Sequence, residues 1–263
     1  MPMLRYFINC FLLFGFLIGS AQTDSLDLST RDSTSFGDRY GLRIGVDLSK
    51  PIRALLDSDY SGLEFVADYR ITKKIYIAAE FGNEEKTSFE ALENIDDLNR
   101  VEIYNYTTSG SYLKLGIDFN TYENWYGMTN AIIFGARYAG STFTQTLNNY
   151  TIFDSNRYWN PNNFAPGSDA PQEFTGLNAT WLEFLLGIKV ELFANLYLGA
   201  SVRLSYLFTN TEADTFPNLW IPGFNKVNDN SKFGVGYNYS LSYFIPLYRK
   251  KSKKKKNESP AEE

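Results

Sequence analysis

Residues 232–247 alternate between two kinds of side chain. Phe233, Val235, Tyr237, Tyr239, Leu241, Tyr243, Ile245 and Leu247 are apolar or aromatic, and Gly234, Gly236, Asn238, Ser240 and Ser242 lie between them. A period of two predicts a β-strand with one apolar face and one small, polar face. On a helix the same side chains would spread around the axis. The pattern recurs over residues 39–48, 61–71, 74–82, 111–120, 130–139, 180–192 and 196–208, which makes eight predicted strands. The connections between them are residues 49–60, 72–73, 83–110, 121–129, 140–179, 193–195 and 209–231. Long and short connections take turns, as in an up-and-down outer-membrane barrel with short periplasmic turns and long external loops.

Side-chain volume decides which face looks inward. An eight-stranded barrel is only just wide enough inside for filling side chains. The apolar faces carry too many Phe, Tyr, Leu and Ile residues to fit there, as a lipocalin-like barrel would require. The expected fold is therefore all-β, an eight-stranded antiparallel up-and-down transmembrane β-barrel with its apolar face toward lipid. Residues 232–247 should close it by pairing with residues 39–48. Both mature termini then lie on the periplasmic, short-turn side of an outer membrane.

The inward face would carry Asp47, Glu64, Asp68, Glu80, Asp118, Glu183 and Glu191 against Arg43, Arg70, Lys114, Arg137, Lys189 and Arg203. Buried charges persist when they are paired and hydrogen-bonded, so these side chains are expected to form a structural ion-pair network filling the lumen. A narrow gated ion path is the functional alternative. Tyr and Phe near strand ends, including Tyr40, Tyr69, Phe81, Phe119, Tyr138, Phe208, Tyr237 and Tyr243, are candidates for interfacial aromatic girdles.

Outside residues 39–248, which form the expected barrel domain, the composition changes. Residues 1–21 read as a signal peptide: Arg5, an apolar run to Ile18, then Gly19-Ser20-Ala21. Residues 22–38 are rich in Ser, Thr and Asp and predict a flexible leader. Residues 249–263 form a basic flexible tail, whose run of lysines reads as a solvated periplasmic end that stops the last strand, with contact to an envelope polymer or lipid headgroups as the functional alternative. The external loops 140–179 and 209–231 offer Tyr158, Trp159, Trp220 and Phe224 as candidate contact residues.

The chain has no histidine and one cysteine, Cys10, inside the export signal. A Ser-His-Asp triad is thereby excluded in its usual form, and zinc sites lack their common ligands. Glu183 and Glu191 share a face but stand about 26 Å apart along a strand, too far for a catalytic pair. No catalytic, metal or cofactor-binding residues are expected. A net charge of −5 and an export signal argue against nucleic acid. The acidic residues between Glu84 and Asp97 read as a solvated loop.

Several stretches resemble an exported family of Bacteroidota of unknown function: Arg39-Tyr40-Gly41-Leu42-Arg43, Val46-Asp47-Leu48-Ser49-Lys50-Pro51, Ala79-Glu80-Phe81-Gly82-Asn83-Glu84-Glu85-Lys86, Tyr122-Glu123-Asn124-Trp125, Ile221-Pro222-Gly223-Phe224-Asn225 and Phe233-Gly234-Val235-Gly236. The resemblance implies an outer-membrane barrel and carries no catalytic residues. The expected function is a structural or interaction barrel whose partner is outer-membrane lipid, with an envelope polymer or protein met through the tail or external loops. A small pore or transporter, or a lipid-modifying enzyme, is the alternative.

Overall fold

The computed structural model describes residues 38–93, 100–122, 130–153, 164–213, 215–227 and 230–250. The expected export signal, most of the expected leader, the tail beyond Lys250, Tyr158 and Trp159 lie outside these residues.

The chain runs β1 (Asp38–Asp47), α1 (Ser49–Leu56), β2 (Tyr60–Arg70), β3 (Ile75–Glu93), β4 (Arg100–Asn120), β5 (Ala131–Phe153), β6 (Phe164–Ser168), β7 (Gln172–Phe193), β8 (Leu196–Asn210), β9 (Trp220–Ile221), β10 (Asn225–Lys226) and β11 (Phe233–Lys250). The sheet order β4-β3-β2-β1-β11-β8-β7-β5, with β5 pairing back onto β4, closes a ring of eight antiparallel strands. β11 closes it against β1, paired from Asp47↔Ser240 to Asp38↔Lys250 with one register shift between Tyr40 and Gly41. Among the described residues, no helix is long and apolar enough to cross a membrane.

The two faces separate along register rows that run around the ring. One row links Leu42, Tyr69, Ile77, Ile117, Ala136, Phe184, Leu204 and Val235. Its side chains face outward, with Ile77, Ile117, Phe184, Leu204 and Val235 exposed. The adjoining row links Arg43, Asp68, Ala78, Gly116, Arg137, Glu183, Ser205 and Gly234. It faces inward. Small residues alternate with charged ones there because strands closed into a narrow ring leave little interior volume. At Gly116 a Cβ would run into the Ala136 carbonyl and lie 2.7 Å from Arg137 Cδ.

Three expectations need correction. The stretches 83–110 and 140–179 are not long loops. β3, β4, β5 and β7 continue well past the apolar zone, with pairings such as Thr87↔Thr107, Tyr104↔Tyr150 and Thr146↔Glu173. These extensions carry many Ser, Thr, Asn, Gln and Glu residues, so the regular alternation of apolar residues fades while the β-ladder continues. Second, Tyr40 is buried and does not join an outer girdle. Beside a register irregularity at Gly41 it stacks on Tyr248, with ring centroids 5.1 Å apart. Third, Trp220 and Phe224 do not form an exposed surface. The β9–β10 hairpin carries them into the mouth of the ring, and both are buried. Phe224 packs edge-on to Trp181 at 5.7 Å, in a cluster with Tyr112, Phe143, Leu177 and Ile221. Burying such large apolar side chains stabilises the inserted hairpin by roughly 1.5–3 kcal/mol each. Gly223 makes the insertion fit, with φ +81° and the Tyr112 ring against its Cα.

Gly116→Val is expected to destabilise the folded chain by about 1–3 kcal/mol or more through overpacking, read as a lower urea midpoint. An unchanged midpoint would show that the interior is looser than the row packing described above.

Candidate functional site

The interior charges form one continuous chain of contacts. Arg43 on β1 lies 3.3 Å from Asp68 on β2. Asp68 meets Lys189 on β7 at 2.7 Å, and Lys189 lies 3.7 Å from Asp118 on β4. Asp118 pairs with Arg137 on β5 at 2.7 Å, and Arg137 with Glu80 on β3 at 3.2 Å. Glu80 accepts from both Nη atoms of Arg203 on β8. Arg203 also reaches Glu183 at 3.4 Å, Glu183 reaches Lys114 at 3.1 Å, and Lys114 stands 4.0 Å from Glu64. Cations and carboxylates alternate throughout. Asn238 on β11 donates to Glu64 at 3.2 Å, so every strand of the ring contributes.

The period of two produces this arrangement. Each strand offers an inward residue every second position, and staggered pairing brings the eight strands' inward residues to neighbouring heights. In a low-dielectric interior each charge needs a partner of opposite sign, and alternation gives most of these charges two. The Tyr112 hydroxyl adds a neutral donor, 2.6 Å from Glu64. Arg43 also lies over the Tyr197 ring at 4.6 Å, a cation–π contact.

At the mouth the chain of charges meets the loops through Glu84, which is fully buried on β3. Its carboxylate pairs with Lys50 of α1 and accepts from the Gly223 backbone N–H at 3.1 Å. The Tyr112 hydroxyl is 3.4 Å away. One carboxylate thus binds both the helix after β1 and the hairpin before β11. Burial alone would lower the Lys50 pKa, but the adjoining Glu84 carboxylate, with Glu64 behind it, raises it above the ordinary lysine value. Farther out, the hydrogen bond from Lys86, 2.8 Å away, lowers the pKa of Asp57. Arg53 caps this end, over the rings of Tyr60 at 4.2 Å and Trp220 at 4.8 Å.

Of the charged residues expected in the interior, Arg43, Glu64, Asp68, Glu80, Lys114, Asp118, Arg137, Glu183, Lys189 and Arg203 are the ones brought together. Asp47 lies elsewhere: it accepts from the Ser49 backbone and hydroxyl, each at 2.7 Å, and so fixes the turn into α1. Arg70 sits at the short-turn end and donates to the backbone carbonyls of Arg39, Thr72 and Lys73. Glu191 lies at the same end, paired with Arg39 at 3.1 Å. Sequence reasoning missed Arg39, Lys50, Tyr112 and Glu84. The signal for Glu84 was present, since it keeps the inward parity of Glu80 and Gly82. It was obscured by the acidic residues around it, which suggested a solvated loop.

Among the described residues, no group of three or more Cys, Asp or Glu side chains converges in a way that could hold a metal ion. The interior carboxylates of the network are paired with arginines, lysines and hydroxyls.

The fold and this interior define a class: a closed ring of eight antiparallel strands, charged within and apolar without. The chain belongs to the family described as domain of unknown function DUF6048, whose profile matches residues 3–250. Among solved structures it is similar to the crystal structure of Acinetobacter baumannii CarO2, with a TM-score of 0.37 and 10% sequence identity over 79% of this chain and 98% of that one. So loose an overlap has no bearing on function. A search of curated proteins found no match.

Breaking a buried pair by removing one partner costs about 3–5 kcal/mol, because the other charge is left unneutralised. Glu80→Ala is therefore expected to lower stability by that amount, and the double variant with Arg203→Met to recover part of it. Additive losses in a double-mutant cycle would show that the two side chains do not depend on each other.

Proposed function

We propose that this chain is an outer-membrane β-barrel of structural or interaction type, closed along its axis, with the long-strand end outside the cell. The observation that carries this reading is a change of composition on the outer surface. Phe65, Phe81 and Leu113 are exposed and lie in one register row. One step toward the mouth the outward row runs Leu63, Asn83, Ser111, Thr142 and Asn178, register partners that are polar on four of the five strands. Asn83 donates to the Ser111 hydroxyl at 3.0 Å, and Thr142 to Asn178 at 3.1 Å. A surface apolar over several rows and then mostly polar, with Phe and Tyr near the change, matches a lipid-facing band ending at an interface.

An apolar exterior of this extent would drive aggregation in water. In a bilayer it is the stable surface, and closure satisfies the backbone groups that a membrane cannot. The extended parts of β3, β4, β5 and β7 would then stand above the lipid as the surface available to other envelope components. The basic tail would lie at the opposite, periplasmic end.

The chain of ion pairs and the inserted hairpin favour a closed barrel over a pore. Purified protein in a planar bilayer is expected to give no single-channel steps, and steady unitary conductance would contradict closure. In cells, the protein is expected in the outer-membrane fraction with gel mobility that shifts on boiling. Leu115→Arg, in the middle of the apolar band, should cost about 2–4 kcal/mol and reduce the heat-shifted species. Recovery of the wild-type chain as a soluble periplasmic protein would overturn the reading.

A further inference from the structure

The wall of the ring changes character at one place. β1 ends at Asp47, opposite Ser240 of β11, and its last pairing with β2 is Val46↔Phe65. Both neighbours run farther toward the mouth. The first residues of β2 pair only with β3, beginning at Tyr60↔Lys86. The first residues of β11 pair only with β8, beginning at Phe233↔Tyr206. Between residues 60–64 and 233–239 the position of one strand is therefore left without a strand. Two strand spacings, about 10 Å, separate the edges on either side, close to the diameter of one helix.

α1 stands in that place. Leu48, just before it, donates its N–H to the Tyr239 carbonyl at 2.6 Å, and the helix lies beside both β2 and β11. A helix covers an open strand edge and satisfies its own backbone groups where water is scarce. Among the described residues, no backbone hydrogen bond joins α1 itself to either strand. Side chains hold it instead, and they share one face. Lys50 pairs with Glu84, Arg53 lies over the Tyr60 and Trp220 rings, and Ala54 packs against the same cluster. These three positions have the spacing i, i+3, i+4 that places residues on one side of a helix. Ile52, Leu55 and Leu56 repeat the spacing two residues on, about 200° around the axis. Leu55 and Leu56 are 86% and 84% exposed, the highest values among the large apolar side chains described.

The surroundings indicate what meets this outer face. Leu63 and Phe65 on the β2 side, and Val235, Tyr237 and Tyr239 on the β11 side, are exposed. The apolar face of α1 is thus continuous with the apolar outer surface of the ring. Asp57, Ser58 and Asp59 follow Leu56 directly, and Asp57 pairs with Lys86. Apolar residues succeeded at once by charged ones fit the boundary between alkyl chains and headgroups.

We propose that α1 is a helical section of the barrel wall that binds the alkyl chains of outer-leaflet lipid through Ile52, Leu55 and Leu56, with residues 57–59 at the headgroup level. This rests on the outer-membrane reading and extends it: here the wall is held from inside by Lys50 and Arg53 rather than by a strand ladder.

The test uses the full chain folded in phosphatidylcholine vesicles, with an NBD fluorophore attached to Leu55→Cys, Leu56→Cys, Ser58→Cys or Tyr237→Cys, one at a time. Folding of each variant is checked by the gel shift on boiling. One quencher is a phosphatidylcholine with a nitroxide on its acyl chain, and the other is iodide in the water. Labels at Leu55 and Leu56 should lose most of their fluorescence to the lipid nitroxide, as at Tyr237, and little to iodide. The label at Ser58 should show the reverse. Iodide quenching at Leu55 and Leu56, with lipid quenching kept at Tyr237, would overturn the role of α1 and leave the outer-membrane reading standing. Iodide quenching at all three positions would overturn both.

Discussion

The structure depends on the mutual neutralisation of charges in a space too narrow for anything else. Ten charged side chains converge inside the ring, and the chain from Arg43 to Glu64 alternates in sign. Taking any of them out of water costs several kcal/mol, and only close partners return that energy. The alternation imposes conditions on the rest of the sequence. Ala78, Gly116, Ser205 and Gly234 must be small so that their row neighbours Arg43, Asp68, Arg137 and Glu183 can reach across. Every bulky apolar residue displaced from the interior must then go outside. The charged interior and the apolar exterior are two results of one restriction on volume.

The mouth extends the same chemistry to the loops. Glu84 continues the inward charges beyond the level at which the outer surface turns polar, and there it holds Lys50 of α1 and the backbone of Gly223. The inserted hairpin adds apolar packing, with Phe224 and Ile221 against Trp181 and Phe143. Two connections distant in sequence are therefore fixed to one carboxylate on β3. This links the order of the mouth to the integrity of the interior, because Tyr112 touches both Glu64 and Glu84.

Much of this was legible in the sequence. The period of two in residues 232–247 is the outward and inward alternation of β11, and the expected closure onto residues 39–48 is the observed β1–β11 pairing. The ten charged residues that meet in the interior were legible from their inward parity, because parity is a local property of a strand. What stayed hidden depends on contacts between distant segments. Trp220 and Phe224 lie in a stretch with no periodicity, and nothing local reveals that Gly223 fits against Tyr112. The extensions of β3, β4, β5 and β7 were hidden for another reason. Residues such as Thr87, Thr107, Asn105 and Asn148 are half-buried, and cross-strand hydrogen bonds such as Thr87–Thr107 at 2.9 Å replace apolar alternation there. Asp47, Arg70 and Glu191 have the right parity but lie at strand ends, where caps and turns take up their hydrogen bonds.

The central claim is that one face of each strand meets lipid while the other is sealed within the ring. Spin labels placed one at a time along β11 test it most directly, because residues 39–248 contain no cysteine to interfere. In lipid vesicles, labels at Val235, Tyr237, Tyr239 and Leu241 should collide readily with oxygen and rarely with a water-soluble nickel reagent. Labels at Gly236, Asn238 and Ser240 should be shielded from both, giving a period of two. Strong collision with the nickel reagent at Tyr237 and Tyr239 would place that face in water and contradict the account.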